Sequence, residues 1–313
     1  MRCLVTGASG FLGSWLVRQL IAEGHSVTVC MRTCTPSRIN ADWLGRVDII
    51  QGSFDDLGGL RRCIEPHSID CVFHLAWFGV TADFRNHADQ ISTNVIGSLR
   101  LWEIARDLGC KHWIGIGSQA EYGPCKGALR EDFPANPVTA YGVAKLAIGS
   151  LTRKMAEMSG MRHTWVRLLA AYGPGDDYRH LIPSVIRELT SGHKPALTNG
   201  DQLWDYLYVT DAVNALCRIA ETEATGLFNL ASGKVIEVRK LIEGIRDLIE
   251  PKLALGFGEI AYRPDQVMRL EADISKLRAA TGWQPETSLE DGIRRTIEWF
   301  RADSVKYDSF MTL

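Results

Sequence analysis

The stretch VTGASGFLG, Val5–Gly13, decides the fold of this chain. Its three glycines, Gly7, Gly10 and Gly13, stand between an apolar run and a segment with helical spacing. Glycine permits a tight turn at the first position, close approach of the backbone to a phosphate at the second, and close helix–strand packing at the third. The positive end of the helix dipole that follows attracts negative charge. The stretch therefore predicts a loop that binds the pyrophosphate of a dinucleotide, with a plain strand–helix turn as the alternative.

Short β-branched runs alternate with segments of helical spacing over the first 170 residues. The strand-like runs are Arg2–Thr6, Ser26–Met31, Arg46–Ile50, Ile69–Leu75, His112–Ile116 and His163–Leu168. The helical segments are Phe11–Glu23, Leu57–Ile64, His87–Leu108 and Ala140–Met158. This alternation predicts an α/β fold in which residues 1–171 form a doubly wound parallel sheet of the Rossmann kind. The alternation stops after Tyr172, which predicts a smaller mixed α/β substrate domain over 172–313, with residues 203–232 returning to the first domain.

The composition excludes several other classes of protein. A net charge of −2 over 313 residues lacks the basic surface that a nucleic-acid-binding protein needs. No apolar run reaches the roughly 18 residues of a membrane span, and MRCLVTGASG reads as a strand and its loop rather than as a signal peptide. The eight cysteines are scattered, without the spacing of a zinc site or a disulfide framework. We therefore expect a cytoplasmic protein that binds no metal, nucleic acid or membrane.

The end of the second strand-like run bears on the choice of cofactor. NAD-binding sites usually carry an acidic residue here, which binds the ribose hydroxyls. This run ends in Met31 and Arg32, with no acidic residue beside them. An arginine forms charge-assisted hydrogen bonds with a 2′-phosphate, so the sequence favours NADP(H). The alternative is a surface arginine that takes no part in binding.

A Tyr-x-x-x-Lys spacing occurs twice, at Tyr122–Lys126 and at Tyr141–Lys145. Residues four apart share a face only on a helix. Gly123–Pro124 interrupts the first pair, whereas the second continues into the helical pattern of AKLAIGSLTRKMAEM. The spacing therefore predicts that Tyr141 and Lys145 carry the chemistry and that Tyr122 lies in a loop.

A proton transfer by Tyr141 follows from this arrangement. An ammonium one helical turn away favours the phenolate, so we expect Lys145 to lower the pKa of Tyr141 from about 10. Ser118 ends the run HWIGIGS, and its hydroxyl is expected to hydrogen-bond the reacting oxygen. A serine hydrolase is the rival interpretation, but Ser118 has no GxSxG elbow around it.

Further motifs are spread over nearly the whole chain. They are HLA at His74–Ala76, NVIGSL at Asn94–Leu99, GSQAEYG at Gly117–Gly123, RLLAAYGPGDD from Arg167, DYLYVTD at Asp205–Asp211 and YRPDQVMRLEADISKLRAATGWQP from Tyr262. Together with GASGFLG and YGVAK they resemble the extended short-chain dehydrogenase/reductase family, of the NAD-dependent epimerase/dehydratase type. The resemblance implies a catalytic triad of Ser118, Tyr141 and Lys145. It also implies a homodimer formed through the helices around Asn94–Leu108 and Tyr141–Met158.

The resemblance further implies two sets of binding residues. The dinucleotide would be bound or supported by Gly7, Gly10, Phe11, Leu12, Gly13, Arg32, Ser53, Phe54, Leu75, Ala76, Asn94, Tyr141 and Lys145. A nucleotide-diphosphate sugar would be bound by Trp77, Ser118, Gln119, Tyr172, His180, Trp204 and Arg263.

Some positions depart from the family pattern. Sugar dehydratases of the family carry Asp-Glu after the catalytic Ser or Thr, where this chain has Gln119 and Ala120. Glu121 is shifted by one residue, and on a strand that shift turns its side chain to the other face. A dehydratase is therefore disfavoured. Trp204 replaces an arginine that binds the diphosphate, which leaves Arg263 as its expected ligand.

The pattern most resembles reductases of nucleotide-linked 4-keto-6-deoxysugars, such as the CDP-abequose synthase group. We therefore expect an NADPH-dependent reductase that takes its proton from Tyr141. The first alternative is an NAD-dependent nucleotide-sugar 4-epimerase with the same triad. A catalytically silent regulatory module of the same fold is the second, and the intact triad argues against it.

Overall fold

The strand–helix alternation of the sequence is present in the computed structural model, which describes residues 1–32, 42–53, 57–65, 68–263 and 266–302. The strands are β1 Arg2–Thr6, β2 Ser26–Met31, β3 Asp48–Gln51, β4 Cys71–His74, β5 His112–Ser118, β6 Arg162–Leu168, β7 Ala170–Tyr172, β8 Ala196–Leu197, β9 Leu203–Tyr208, β10 Gly226–Leu230, β11 Val235–Glu237, β12 Gly256–Phe257 and β13 Arg269–Leu270. The helices are α1 Phe11–Ala22, α2 Gly58–Cys63, α3 Ile96–Asp107, α4 Ala140–Ser159, α5 Leu181–Thr190, α6 Val209–Glu221, α7 Val238–Ile249, α8 Ser275–Thr281 and α9 Leu289–Arg301.

Seven strands form one parallel sheet in the order β10-β6-β5-β4-β1-β2-β3. The strands β4 and β5 are buried along their whole length, because helices cover both faces of the sheet. The predicted doubly wound sheet is confirmed. Successive strands run outward from β1 to β3 on one side and from β4 to β6 on the other. In such sheets a ligand binds at the carboxyl ends of the strands where the order reverses, which here is between β1 and β4.

Two apolar layers hold the helices on this sheet. On one face, Leu16 and Leu20 of α1 pack with Leu216 of α6. On the other face, Leu60 of α2 packs with Leu101 of α3. The layers fix α1 with its first turn at the switch point of the sheet. Within the described ranges, no helix is both long and apolar enough to cross a bilayer.

A second sheet is built around β9. Strands β7, β11 and β13 all pair with β9, and helices α5, α7 and α9 pack around the core that β9 shares. The segment 203–232 is divided between the two sheets. Its strand β9 belongs to the second sheet, whereas α6 packs on α1 and β10 extends the first sheet next to β6.

Candidate active site

The glycine loop forms a tight cradle between β1 and α1. Gly7 has a φ of +74°, and a Cβ on it would lie 2.6 Å from the amide nitrogen of Ala76. A Cβ on Gly13 would lie 2.1 Å from the carbonyl oxygen of Gly7, so a side chain at either position would clash with backbone. The Gly10 amide donates to the Gly7 carbonyl at 2.9 Å, which closes the turn. These close approaches are the packing reasons for glycine at the first and third positions.

The first turn of α1 is suited to an anion. Its N-cap is Gly10, which offers no side-chain cap, and the turn contains no acidic residue. The first amides of a helix have no acceptor within it, so those of Phe11, Leu12 and Gly13 are left to a ligand. The cradle therefore fits the pyrophosphate of a dinucleotide.

The other residues expected near the dinucleotide lie around the same sheet edge. Leu75 and Ala76 follow β4, and their amides donate to Thr6 at the end of β1. Arg32 is exposed after β2, and among the described residues no carboxylate forms an ion pair with it. Ser53 is half-buried after β3, whereas Phe54 lies outside the described residues.

Ser118, Tyr141 and Lys145 come together where β5 meets α4. Ser118 is the last residue of β5, and Tyr141 and Lys145 lie in the first two turns of α4. Thr139 caps this helix, since its hydroxyl accepts from the Gly142 amide at 3.1 Å. The Lys145 ammonium donates to the carbonyl of Ile116 in β5 at 2.6 Å. The three side chains are all buried.

The expectation that the pKa of Tyr141 lies below its usual value is wrong. Burial raises the pKa of Tyr141, and the hydrogen bond with Ser118 and the charge of Arg85 offset only part of the rise. Burial also lowers the pKa of Lys145 to about 7. Loss of water disfavours the charged form of both groups, and the lysine hydrogen-bonds a backbone carbonyl. The structure therefore holds Tyr141 as a neutral phenol.

Trp77 packs against both residues of the Tyr–Lys pair. Its ring lies edge-on to the Tyr141 ring at 6.1 Å between centroids, and the Lys145 nitrogen is 3.7 Å from the Trp77 centroid. The Trp77 indole N–H donates to Gln90 at 2.9 Å, which fixes the ring. Trp77, expected to line the substrate pocket, thus contacts both Tyr141 and Lys145 directly.

Asn94 supports this loop through hydrogen bonds. It lies in a π-helical turn, Gln90–Val95, which precedes α3 where the sequence predicted one continuous helix. The Asn94 amide accepts from the Phe78 N–H at 2.7 Å and donates to the Phe78 carbonyl and to Gln90. Asn94 is fully buried, so its role is to position the loop after β4. Gln90, which sequence reasoning missed, could have been found from its position one helical turn before Asn94.

The competing Tyr122–Lys126 pair is not helical. Tyr122 is fully buried, and its hydroxyl donates to Asn229 at 2.6 Å. Gly123 follows with a φ of +67°, which ends the short turn before it. The prediction that Tyr122 lies in a loop is confirmed.

The expectation for Glu121 rested on the wrong local structure. Residues Gln119–Glu121 form a 3₁₀ turn and not a strand, so the alternation of faces does not apply. The Glu121 carboxylate is fully buried and paired with Arg167 at 2.8 Å. It also accepts from the amide of Ser118 at 2.9 Å. Gln119, expected to bind the substrate, is half-buried next to Ser118.

The residues expected to hold the sugar nucleotide are spread more widely. Tyr172 is in the core of the second sheet, only 2% exposed, with its hydroxyl bonded to the Leu289 carbonyl, so the structure does not bring it into a cleft. Trp204 is half-buried, and its indole donates to the Val267 carbonyl. His180 is exposed at the N-cap of α5 and hydrogen-bonds Asp176 at 2.8 Å, which raises the pKa of the histidine. Arg263 is exposed at the edge of a described range.

A comparison with known families matches the stretch that contains the glycine cradle and the Ser–Tyr–Lys cluster. The family model described as the NAD dependent epimerase/dehydratase family matches residues 3–231. The chain belongs to this family. It is accordingly an enzyme of the extended short-chain dehydrogenase/reductase type, and its cofactor is a nicotinamide dinucleotide.

Members of the epimerase/dehydratase family match the chain over almost its whole length. UDP-glucose 4-epimerase of Mycolicibacterium smegmatis is 29% identical, with 97% of this chain and 100% of that protein covered. dTDP-glucose 4,6-dehydratase of Salmonella typhimurium is 27% identical, with 97% and 94% covered. The solved UDP-N-acetylglucosamine 4-epimerase of Methanobrevibacter ruminantium, in complex with UDP-N-acetylmuramic acid, is 26% identical, with a TM-score of 0.89 and 96% and 98% covered. These relatives differ in reaction, so membership of the family leaves the reaction of this chain to its own residues.

Proposed function

We propose that this enzyme reduces a nucleotide-diphosphate-linked 4-keto-6-deoxyhexose with NADPH. The substrate class is supported by the relatives, which are named as enzymes of UDP- and dTDP-linked sugars. The direction of the reaction is supported by the state of Tyr141, and the cofactor by Arg32.

The buried Tyr141 phenol is the observation that carries the proposal. Reduction of a ketone needs a protonated acid at the start, whereas oxidation of an alcohol needs a base. Burial raises the pKa of Tyr141 and keeps the phenol protonated at neutral pH. An epimerase must begin by removing a proton from its substrate, whereas a reductase begins by donating one.

The chain's own groups divide the work of reduction. A bound reduced nicotinamide supplies the hydride that forms the new C–H bond at the keto carbon. The Ser118 hydroxyl donates a hydrogen bond to the keto oxygen, and Tyr141 transfers its proton to that oxygen as the C–O double bond becomes single. Lys145, whose pKa burial lowers to about 7, exchanges protons near neutral pH and restores the phenol.

Dehydration has no acid and base at this site. The two positions after Ser118 are occupied by Gln119 and Ala120, which carry no carboxyl group. The neighbouring carboxylate of Glu121 is buried in an ion pair with Arg167 and accepts from the Ser118 amide. A keto sugar produced by another enzyme is therefore the proposed substrate.

Arg32 supports NADPH as the reductant. Arg32 is exposed and directly follows β2, which pairs with β1, the strand that leads into the glycine cradle. A 2′-phosphate would accept paired hydrogen bonds from it, whereas an NAD ribose gives it no anionic partner. At the other end of the substrate, we propose that Arg263 binds the diphosphate and that the half-buried Trp204 and the exposed His180 line the sugar or nucleotide pocket.

An NAD-dependent nucleotide-sugar 4-epimerase is the second candidate. The relatives from Mycolicibacterium smegmatis and Methanobrevibacter ruminantium are named as 4-epimerases. The same Ser118–Tyr141–Lys145 cluster could serve either reduction or epimerisation. The two reactions differ in whether the cofactor is consumed. A reductase leaves the cofactor's hydride on the product, whereas an epimerase takes a hydride from its substrate and returns it.

Purified protein mixed with NADPH and a panel of 4-keto-6-deoxy sugar nucleotides tests the proposal. We expect NADPH absorbance to fall in proportion to the keto sugar supplied, with NADH a poorer reductant. Conversion of an unmodified sugar nucleotide to its 4-epimer without added reductant, together with no NADPH consumption across the panel, would replace the reductase with the epimerase.

We also propose that two copies associate through α3 and α4. Large apolar side chains are exposed along this face: Ile91, Ile96, Val143, Leu151 and Met158. Val143, Leu151 and Met158 are spaced by about two turns on α4, so they form one stripe. Sedimentation equilibrium should give a dimer for the wild type, and Leu151→Glu should shift it toward monomer.

A further inference from the structure

The buried carboxylate of Glu121 accepts hydrogen bonds from two groups besides Arg167, its partner in the ion pair. Its Oε1 accepts from the Ser118 amide at 2.9 Å and from the Trp165 indole N–H at 3.0 Å. Its Oε2 accepts from Arg167 Nε at 2.8 Å. One side chain therefore ties the last residue of β5 to two residues of β6.

Trp165 lies in a slot that only glycines leave open. A Cβ on Gly117 would lie 2.3 Å from both the Trp165 indole nitrogen and Glu121 Oε1. A Cβ on Gly115 would lie 2.4 Å from the same ring, and one on Gly149 of α4 would lie 2.6 Å from it. Contacts this short exclude any side chain at these positions. The indole is thus clamped between β5 and the helix that carries Tyr141 and Lys145.

A second close contact, near the catalytic tyrosine, joins α4 to the turn that follows β5. A Cβ on Gly142 would lie 2.5 Å from the carbonyl oxygen of Ala120, within the 3₁₀ turn that Glu121 ends. Helix α4 is therefore positioned at two points. One is the turn at Ala120, which follows β5, and the other is the ring of Trp165, which belongs to β6. Glu121 bonds to the ring directly and belongs to the turn.

We propose that Glu121 is a positioning residue of the active site, which acts with Trp165 to fix the distance between Ser118 and the Tyr141–Lys145 helix. The same carboxylate oxygen, Oε1, accepts from the Ser118 amide and from the indole N–H of the ring that lies under α4. A reacting oxygen must lie within hydrogen-bond reach of both Ser118 and Tyr141, so a shift of about 1 Å between β5 and α4 costs on the order of 100-fold in rate.

The charge of Glu121 supports this role. It favours the ammonium of Lys145 and disfavours the phenolate of Tyr141, so it raises the pKa of both groups. Glu121 itself cannot serve as the acid, because it is fully buried and each oxygen already accepts from a neighbour.

The inference rests on the proposed catalytic role of Ser118, Tyr141 and Lys145, so the test uses whichever reaction the wild type catalyses. Trp165→Phe keeps the ring in its slot but removes the N–H that binds Glu121. We expect kcat to fall by about 10-fold while the dissociation constant of the cofactor and the KM of the substrate stay within a factor of about two. Glu121→Ala should lower kcat by on the order of 100-fold, and Glu121→Gln, which keeps an acceptor oxygen, should recover part of that loss.

Glu131→Gln is the matched control, because Glu131 also accepts from a backbone amide, that of Asn229, without contacting the catalytic residues. Its kcat should equal that of the wild type. If Glu121→Ala fails to fold because Arg167 is left unpaired, the Trp165→Phe result decides. Wild-type kcat in folded Trp165→Phe, or a loss in KM alone, overturns the positioning role. Wild-type turnover in Tyr141→Phe would instead overturn the proposed function.

Discussion

The ammonium of Lys145 lies 3.7 Å from the centre of the Trp77 ring. A cation over an indole face gains roughly 1–2 kcal/mol when both are shielded from water. The interaction opposes the burial that lowers the pKa of Lys145 to about 7. Trp77 therefore helps to keep the lysine charged at the pH at which the enzyme would work.

Trp77→Leu should lower the pKa of Lys145, because the charged form loses the ring. If turnover needs the ammonium, the basic limb of the kcat–pH profile should move to lower pH by about one unit, which corresponds to about 1.4 kcal/mol. Trp77→Phe, which keeps a weaker ring, should shift it less. Phe257→Leu removes a ring lying 3.9 Å from the Arg239 guanidinium, away from these residues, and should leave the profile unchanged. A Trp77→Leu profile that coincides with the wild type would refute the coupling.

The two tyrosines of the Tyr-x-x-x-Lys pairs should respond differently to loss of the hydroxyl. Tyr141→Phe should lower turnover by on the order of 100-fold or more, with cofactor binding preserved. Tyr122→Phe loses the hydroxyl that donates to Asn229 but keeps the ring against Arg167, so turnover should change little while the free energy of unfolding falls by about 1–3 kcal/mol. Steady-state kinetics and urea unfolding of both variants measure this. The reverse pattern would assign the chemistry to the wrong pair.

The first sheet could be predicted because its strands are short, buried and β-branched, and because VTGASGFLG marks where β1 meets α1. The positions of Ser118, Tyr141 and Lys145 followed from strand ends and helical spacing. The contacts of Glu121 could not be predicted. Strand periodicity does not reveal a 3₁₀ turn, and it does not show which distant side chains surround a carboxylate. The raised pKa of Tyr141 was missed for the same reason, since burial depends on packing between elements far apart in sequence.

Arg32 should set the preference for NADPH. Arg32→Asp removes the cation and repels a 2′-phosphate, so NADPH binding should weaken by about 1–3 kcal/mol while NADH binding changes less. Arg278→Asp makes the same change of charge at an exposed position on α8 and should affect neither cofactor. Calorimetric titration of each variant with both cofactors measures the effect. Equal affinity of the wild type for NADPH and NADH would remove the role of Arg32.

Three buried histidines should make the fold sensitive to acid. His74 lies between the hydroxyls of Thr6 and Ser98, His112 hydrogen-bonds Thr164, and His163 hydrogen-bonds Thr152. Burial lowers the pKa of His74 to about 3 and those of His112 and His163 to about 4. Below about pH 6.5 the unfolded chain binds protons at these residues while the folded chain does not, so stability falls as the pH falls toward 4.

Between pH 7 and pH 5 each histidine should account for about 1–2 kcal/mol of the loss. His112→Gln keeps a hydrogen-bonding side chain beside Thr164 but cannot bind a proton, so its urea-unfolding free energies at pH 7 and pH 5 should differ by that much less than those of the wild type. His193→Gln changes an exposed histidine and should show the wild-type difference. A wild type whose free energy of unfolding is the same at both pH values would mean that these histidines are reached by water and protonate in the folded state.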